Sequence, residues 1–279
     1  MKKILAYLGP VGTYSYEAAS HCLLALGNSQ EWELQALPTI PHILTAVAEG
    51  SVDAGLVPGE NSIEGTVNIT LDILAHELSL YIQGETVLNI NHCLFSHSQD
   101  LGEIHTVLSH PQALAQCRRF LQQKLPQAQC LPANSTAEAV QNLASMGPGT
   151  AAIASRDTHR FYNVPILVPD IGDYPCNQTR FLLVGRTPCP HSDTKKTSLV
   201  LALEKDRPGG LYEVLGEFAR LNINLTKIES RPAKKELGNY IFFIDCEAGH
   251  DHPGLQEVLC NLEKKTALLK NLGSYNLIS

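Results

Sequence analysis

The 279-residue sequence holds no apolar run that approaches the length of a membrane span. It also lacks the cationic excess that would hold a polyanion. Lys and Arg total 21 against 28 Asp and Glu, and the net charge of −7 argues against nucleic acid or an anionic membrane as partner. An anionic small molecule would need a local pocket of Arg, Lys or backbone N–H groups. The eight cysteines include no C-x-x-C pair and no Cys/His group at zinc spacing, so no metal is expected and the thiols are expected to be reduced. His250 and His252 stand alone in a polar stretch. The N-terminus starts with Met1-Lys2-Lys3 like a signal peptide, but Gly9-Pro10 breaks the apolar run after five residues. A cytoplasmic protein of small-molecule chemistry is the expectation.

What is present is ordinary globular material, 44% hydrophobic and 18% charged. Through the first 180 residues, segments 4–8, 32–37, 54–57, 106–109, 129–131 and 151–154 have strand character. Between them, 15–26, 111–125 and 136–146 carry apolar residues at i, i+3, i+4 spacing, with Pro111 or Ser135 as starters. This alternation predicts largely parallel sheets with helices on their faces. Residues 187–196 are short, polar and Pro-rich, which reads as a linker. Beyond it, strand 197–203, helix 210–221, strands 224–230 and 239–246, helix 253–264 and strand 268–275 give a βαββαβ, ferredoxin-like order.

Several strand-to-helix turns carry polar groups. Gly9-Pro10-Val11-Gly12-Thr13-Tyr14-Ser15 is either a plain βα turn or, through N–H groups at Thr13–Ser15, a carboxylate site. Pro58-Gly59-Glu60-Asn61-Ser62-Ile63-Glu64-Gly65 sets an acid, an amide and a hydroxyl at a strand end, where open α/β sheets bind ligands. Ser109-His110-Pro111-Gln112 and Asn134-Ser135-Thr136 repeat the arrangement. In Asn177-Gln178-Thr179-Arg180-Phe181, an extended backbone puts Thr179 and Phe181 on one face and Arg180 on the other. Arg180 then either braces the strand or clamps a carboxylate.

In this order the motifs resemble those of prephenate dehydratases, through Thr179-Arg180-Phe181, Gly209-Gly210-Leu211 and Ile228-Glu229-Ser230-Arg231-Pro232, over nearly the whole chain. The resemblance implies an α/β two-lobed catalytic domain like a periplasmic binding protein over 1–186, with lobes 1–78 plus 176–186 and 79–175. It further implies linker 187–196 and an α+β ferredoxin-like ACT unit over 197–279. The implied reaction takes prephenate to phenylpyruvate, water and carbon dioxide without cofactor. Thr179, Glu60, Asn61 and Gln112 are the catalytic candidates, either Thr179 or Glu60 delivering the proton. Thr13, Ser15, Ser62, Ser135, Thr136, Arg180 and Phe181 are the substrate-binding candidates. L-phenylalanine is the implied effector, at Gly209, Gly210, Leu211, Asn224, Leu225, Glu229 and Ser230, in a homodimer or homotetramer joined through ACT units. No chorismate mutase segment is recognised, which implies a monofunctional enzyme. Two departures stand out: Gly59 replaces a bulky aliphatic, expected to loosen that turn, and Gly210 and Tyr212 alter the family's Gly-Ala-Leu-Val loop. Arogenate dehydratase and a non-catalytic small-molecule sensor are the alternatives.

Overall fold

The computed structural model describes residues 2–25, 27, 29–190, 193–204, 207–233 and 240–278. Leu26 of the expected first helix, His191 and Ser192 of the linker, and Asn239 of an expected strand lie outside the described residues.

The first lobe contains β1 (Lys3–Leu8), α1 (Tyr14–Ala25), β2 (Trp32–Leu37), α2 (Ile40–Glu49), β3 (Ala54–Asn61), β4 (Gly65–Thr66), α3 (Asn68–Asp72) and β5 (Tyr81–Asn89). The second contains β6 (His92–Ser96), β7 (Thr106–Ser109), α4 (Pro111–Gln116), α5 (Arg118–Lys124), β8 (Gln129–Pro132), α6 (Thr136–Asn142), β9 (Thr150–Ser155), α7 (His159–Tyr162) and β10 (Ile166–Val168). The chain then returns to the first lobe as β11 (Gln178–Gly185). Helix α2 illustrates the local logic. Thr39 caps its first turn, Pro41 pre-sets the backbone, and Gly50 closes it in the left-handed region at φ 78°. Its buried Ile40, Ile43, Leu44 and Val47 form one helical stripe.

The first sheet runs β2-β1-β3-β11-β5 and the second β10-β6-β9-β7-β8. Both are mixed, not largely parallel as the alternation predicts. Strands β1, β2 and β3 are parallel, as are β7, β8 and β9. Strand β11 runs antiparallel to β3 and β5, and β6 antiparallel to β9 and β10. The chain crosses between lobes twice, and the crossing strands pair against the βαβ strands. The helix expected over 111–125 also divides at Cys117. There the Asp173 carboxylate accepts from Arg119 N at 3.0 Å, supplying an N-terminal partner for the second segment.

The C-terminal unit comprises β12 (Lys196–Leu203), α8 (Gly210–Arg220), β13 (Leu225–Pro232), β14 (Tyr240–Cys246), α9 (Pro253–Glu263) and β15 (Thr266–Tyr275), with sheet order β13-β14-β12-β15. Helices α8 and α9 cover one face through Val214, Phe218, Leu255 and Val258. The other face packs on the first lobe. Val200, Ile241, Phe243 and Tyr275 share a core with Leu71, Leu74, Ile82, Leu182 and Val184. Past β15 the chain runs along β5, with Glu85 N donating to Asn276 O at 3.1 Å and Ile278 N to Glu85 O at 2.7 Å.

Candidate active site

Strands β3 and β11 meet where the chain passes between lobes, and a bulge there fixes what each presents. Leu182 pairs with Val57 and Phe181 with Pro58, but Arg180 pairs with Glu60, so Gly59 is the extra residue. A bulge shifts the alternation of faces by one position. Asn61 therefore joins Thr179 on the face covered by α1, and Glu60 joins Arg180 on the face toward the C-terminal unit. Gly59 does not sit in a loosened turn. A Cβ at that position would lie 2.9 Å from Leu182, whose side chain fills the space.

Asn61 and Thr179 begin a chain of buried polar groups that crosses from lobe to lobe. Asn61 Nδ2 lies 2.9 Å from Thr179 Oγ1 and 2.9 Å from Asn177 Oδ1. Asn61 Oδ1 accepts from the amides of Ile63 and Glu64 at 3.0 Å each, which fixes its orientation. Asn177 Nδ2 donates to Gln116 Oε1 at 2.8 Å, and His92 Nε2 lies 2.9 Å from the same oxygen. Because that oxygen only accepts, His92 carries its proton on Nε2; its Nδ1 lies 3.0 Å from the Tyr14 hydroxyl, which donates to Asn91 O at 2.8 Å. Burial lowers the His92 pKa, the Gln116 hydrogen bond opposing, so the ring is neutral. Asn61, Asn177, Gln116 and His92 are each at most 6% exposed, so every lost bond would leave a buried group unpaired.

The Thr179 hydroxyl accepts from Asn61 and, among the described residues, donates to no acceptor. Its proton can be given outward to a ligand. The loop after β1 closes over the second lobe. Thr158 donates to Gly12 O at 2.9 Å, Tyr162 donates to Val11 O at 2.8 Å, and Thr13 and Ser15 are buried there. Thr13 Oγ1 donates to Pro10 O at 2.9 Å and receives Tyr16 N at 3.3 Å, capping α1.

The other sequence candidates fall in different surroundings. Ser62 staples the returning strand: its N–H donates to Gln178 O at 2.8 Å and its Oγ accepts from Gln178 N at 2.9 Å. Gln112 is exposed on α4; one turn on, Gln116 is the buried glutamine. Ser135 caps α6 by accepting from Glu138 N at 3.0 Å, while Glu138 accepts from Asn134 N, so these turns are satisfied by their own helix; Thr136 is the next residue. Phe181 is 2% exposed and packs on Leu5, Tyr7 and Ala18, in the core beneath Thr179 and not in the cleft wall. Glu60 cannot relay a proton to Thr179 across the strand, because its carboxylate lies on the opposite face, 3.0 Å from Lys227 Nζ. Arg180 likewise clamps no cleft carboxylate: Nε donates to Glu85 at 2.5 Å and its terminal nitrogens to Asp245 at 2.6 Å and Tyr275 at 2.7 Å.

In the C-terminal unit, Gly209 opens α8 from the left-handed region at φ 83°, followed by Gly210 and Leu211. A Cβ at Gly210 would come 3.0 Å from Leu203, so glycine here is matched to that leucine. Asn224 holds Glu247 at 2.9 Å and Leu225 packs against the unit's own core. Ser230 is exposed on the outer strand, whereas Glu229 points inward to Thr66, Lys227 and Arg231.

Sequence reasoning missed Gln116, Asn177, His92 and Tyr14 as members of the site. Gln116 left a signal: it shares the helical stripe of buried Ala113 and Cys117, an amide on an apolar face.

An amide-rich polar chain thus crosses between two α/β lobes, with a βαββαβ unit packed behind it. The prephenate dehydratase family profile matches residues 5–189 and the ACT domain profile residues 197–264. The prephenate dehydratase of Methanocaldococcus jannaschii is 40% identical over 278 residues, 99% of this chain and 98% of that protein. Among solved structures, a prephenate dehydratase of Arthrobacter aurescens in complex with L-Phe superposes with a TM-score of 0.87 and 32% identity, over 99% of this chain and 90% of that one. A chain described as a novel type of quorum quenching acylase has a TM-score of 0.84 and 26% identity, over 99% of this chain and 98% of the other. The chain belongs to the prephenate dehydratase family.

Proposed function

We propose that the protein converts prephenate to phenylpyruvate, water and carbon dioxide, and that L-phenylalanine regulates it through the ACT unit. The observation that carries the chemistry is the Thr179 hydroxyl, oriented by Asn61 with its own proton left to give. In the reaction the ring carboxylate departs as carbon dioxide and its electron pair enters the ring. The C–O bond at the far carbon breaks, and the departing hydroxide takes one proton to leave as water. Aromatisation drives the step, so the protein's task is orientation and stabilisation of that leaving oxygen. Thr179 donates its hydrogen bond to the oxygen, with the proton replenished from solvent. The Asn61–Asn177–Gln116–His92 chain brings amides and a neutral imidazole to Thr179, with the Glu64 carboxylate 3.4 Å from Gln116 Nε2, so none of these groups is a cation that would oppose loss of the ring carboxylate. The N-terminal amides of α1 at Thr13–Ser15 suit the side-chain carboxylate.

Thr179→Val should lower kcat about a hundredfold or more, with KM changed little. Assays of the purified protein with prephenate and with arogenate test the reading. A fold can host unrelated chemistries. Wild-type turnover of Thr179→Val would remove Thr179 from the mechanism, and turnover of neither compound would remove the enzyme reading.

On this reading the chain divides into a catalytic domain over residues 1–186, a linker over 187–196 and a regulatory domain over 197–279. The effector assignment is supported by the L-Phe complex of the Arthrobacter relative. We further propose that copies of the chain join through their ACT units. Strand β13 ends its sheet, and Tyr212, Ile228 and Tyr240 are exposed, Tyr212 by 79%. Such an edge suits pairing with a second copy. A reducing, cytoplasmic setting fits the free cysteines, of which Cys22, Cys93, Cys117 and Cys246 are buried. No described helix is long and apolar enough to cross a membrane.

A further inference from the structure

Behind the Asn61–Thr179 pair lies a second polar assembly that the chemistry does not use. Glu60 and Arg180 are cross-strand neighbours on that rear face, 3.7 Å apart. The regulatory sheet supplies their partners from three different strands. Lys227 of β13 reaches Glu60 at 3.0 Å, Asp245 of β14 holds Arg180 at 2.6 Å, and Tyr275 of β15 accepts from Arg180 at 2.7 Å. Ser198 of β12 donates to Asp245 at 2.5 Å and completes the assembly.

Strand β13 has two working faces. Lys227, Glu229 and Arg231 point inward: Lys227 lies 3.1 Å from Glu229, and Arg231 lies 2.9 Å from Asp72 of α3. Glu229 also accepts from Thr66 of β4, in the hairpin that begins at Asn61. The alternate residues Thr226, Ile228 and Ser230 point outward and are exposed. One strand thus has the catalytic hairpin on one side and the outer edge of the ACT sheet on the other. Displacing it along its axis or by rotation disturbs both.

The contacts are sheltered on the side of Arg180 and the regulatory sheet. Side-chain exposure is 6% at Asp245, 12% at Lys227 and 17% at Arg180, against 39% at Glu60. Ion pairs at this depth are geometrically demanding, since separating them leaves buried charge without a partner. Burial opposes the Arg180 charge, but Tyr275, Asp245 and Glu85 outweigh it and keep the guanidinium protonated.

We propose that Glu60 and Arg180 are positioning residues that act through Asn61 and Thr179, and that the regulatory sheet sets their placement through Lys227 and Asp245. Effector binding at the outer face of β13 is then felt at Thr179 along this route. The inference rests on the reading above, with prephenate as substrate and phenylalanine as effector. An effector shifts activity only if its two states differ in such contacts.

The test uses the full chain with Lys227→Met, Lys227→Arg and Asp245→Asn, each shown to melt in one cooperative transition. Prephenate kinetics and calorimetric phenylalanine binding are read side by side. In Lys227→Met, calorimetric phenylalanine affinity should stay near wild type while the inhibition reached at saturating phenylalanine, relative to that variant's own uninhibited rate, is largely lost. Lys227→Arg should restore inhibition. Asp245→Asn should lower kcat about tenfold with KM nearly unchanged, the signature of a displaced catalytic group. Unaltered inhibition in Lys227→Met, or wild-type kcat in Asp245→Asn, would overturn the coupling while leaving the functional reading intact. Loss of phenylalanine binding together with inhibition would place Lys227 in the effector site and also overturn it. If wild-type protein fails to turn over prephenate, the functional reading falls and takes the coupling with it.

Discussion

Gly59 decides which side chains of β3 face the cleft. Without the bulge, strict alternation would put Glu60 on the face of Leu56, beside Thr179, and send Asn61 behind the sheet. The motif Glu60-Asn61-Ser62 was legible as a ligand-facing strand end, but a bulge depends on the partner strand and leaves no period in one sequence. That is why the acid was expected in the chemistry and the structure places it on the regulatory side. Gly59→Val should destabilise the protein by about 1–3 kcal/mol through overlap with Leu182. Urea midpoints would show the loss, and Gly59→Val combined with Leu182→Ala should recover much of it.

Glu17 offers a second residue-scale expectation. It projects from α1 toward the Asp157–Arg160 segment of the other lobe; burial raises its pKa to about 7, Asp157 adding to the shift and Arg160 opposing it. An acid whose pKa is higher folded than unfolded binds more protons in the folded state, so its contribution to stability weakens as pH rises from about 4.5 to about 7. Glu17→Gln should therefore raise the melting temperature more at pH 8 than at pH 5. Equal gains at both would show that the carboxyl titrates normally.

At the scale of elements, what the sequence disclosed was local: helices with caps, strands bounded by Gly or Pro, and the βαββαβ order of the ACT unit. Strands β5, β6, β10 and most of β11 belong to long-range pairings, and the mixed direction of both sheets follows from those. The turn Ile73–Glu77 shows how far such dependence goes. It continues α3 as a π-helix, and its terminal carbonyls are taken by Lys270 of β15, at 2.7 Å from Leu74 O and 2.9 Å from Leu78 O. A cation on helix-terminal carbonyls is favourable both as hydrogen bonds and against the dipole. Lys270→Met should cost about 1–3 kcal/mol, readable as a lower denaturant midpoint. An unchanged midpoint would mean water replaces the ammonium at no cost.

Across the whole molecule, the ACT sheet forms a third layer on the catalytic domain. Phe243, Ile241 and Tyr275 complete a core that Leu182 and Val184 begin, and the last residues extend the catalytic sheet beside β5. The two domains should therefore unfold together, giving one calorimetric transition for the full chain. Residues 1–190 expressed alone should self-associate on gel filtration, because Leu71, Leu74, Ile82 and Leu182 would face water. A soluble, cooperatively folded fragment would show that the shared core is dispensable.

The shared core also imposes an order of events during synthesis. When β11 leaves the ribosome the catalytic sheet has all its strands, yet one apolar face stays bare until residues 186–275 have been made. At typical translation speeds that is roughly 5–20 s, long compared with collapse and hairpin formation. For those seconds the nascent chain carries a bare apolar face, open to misassociation, and the regulatory domain first serves as the lid that ends its exposure.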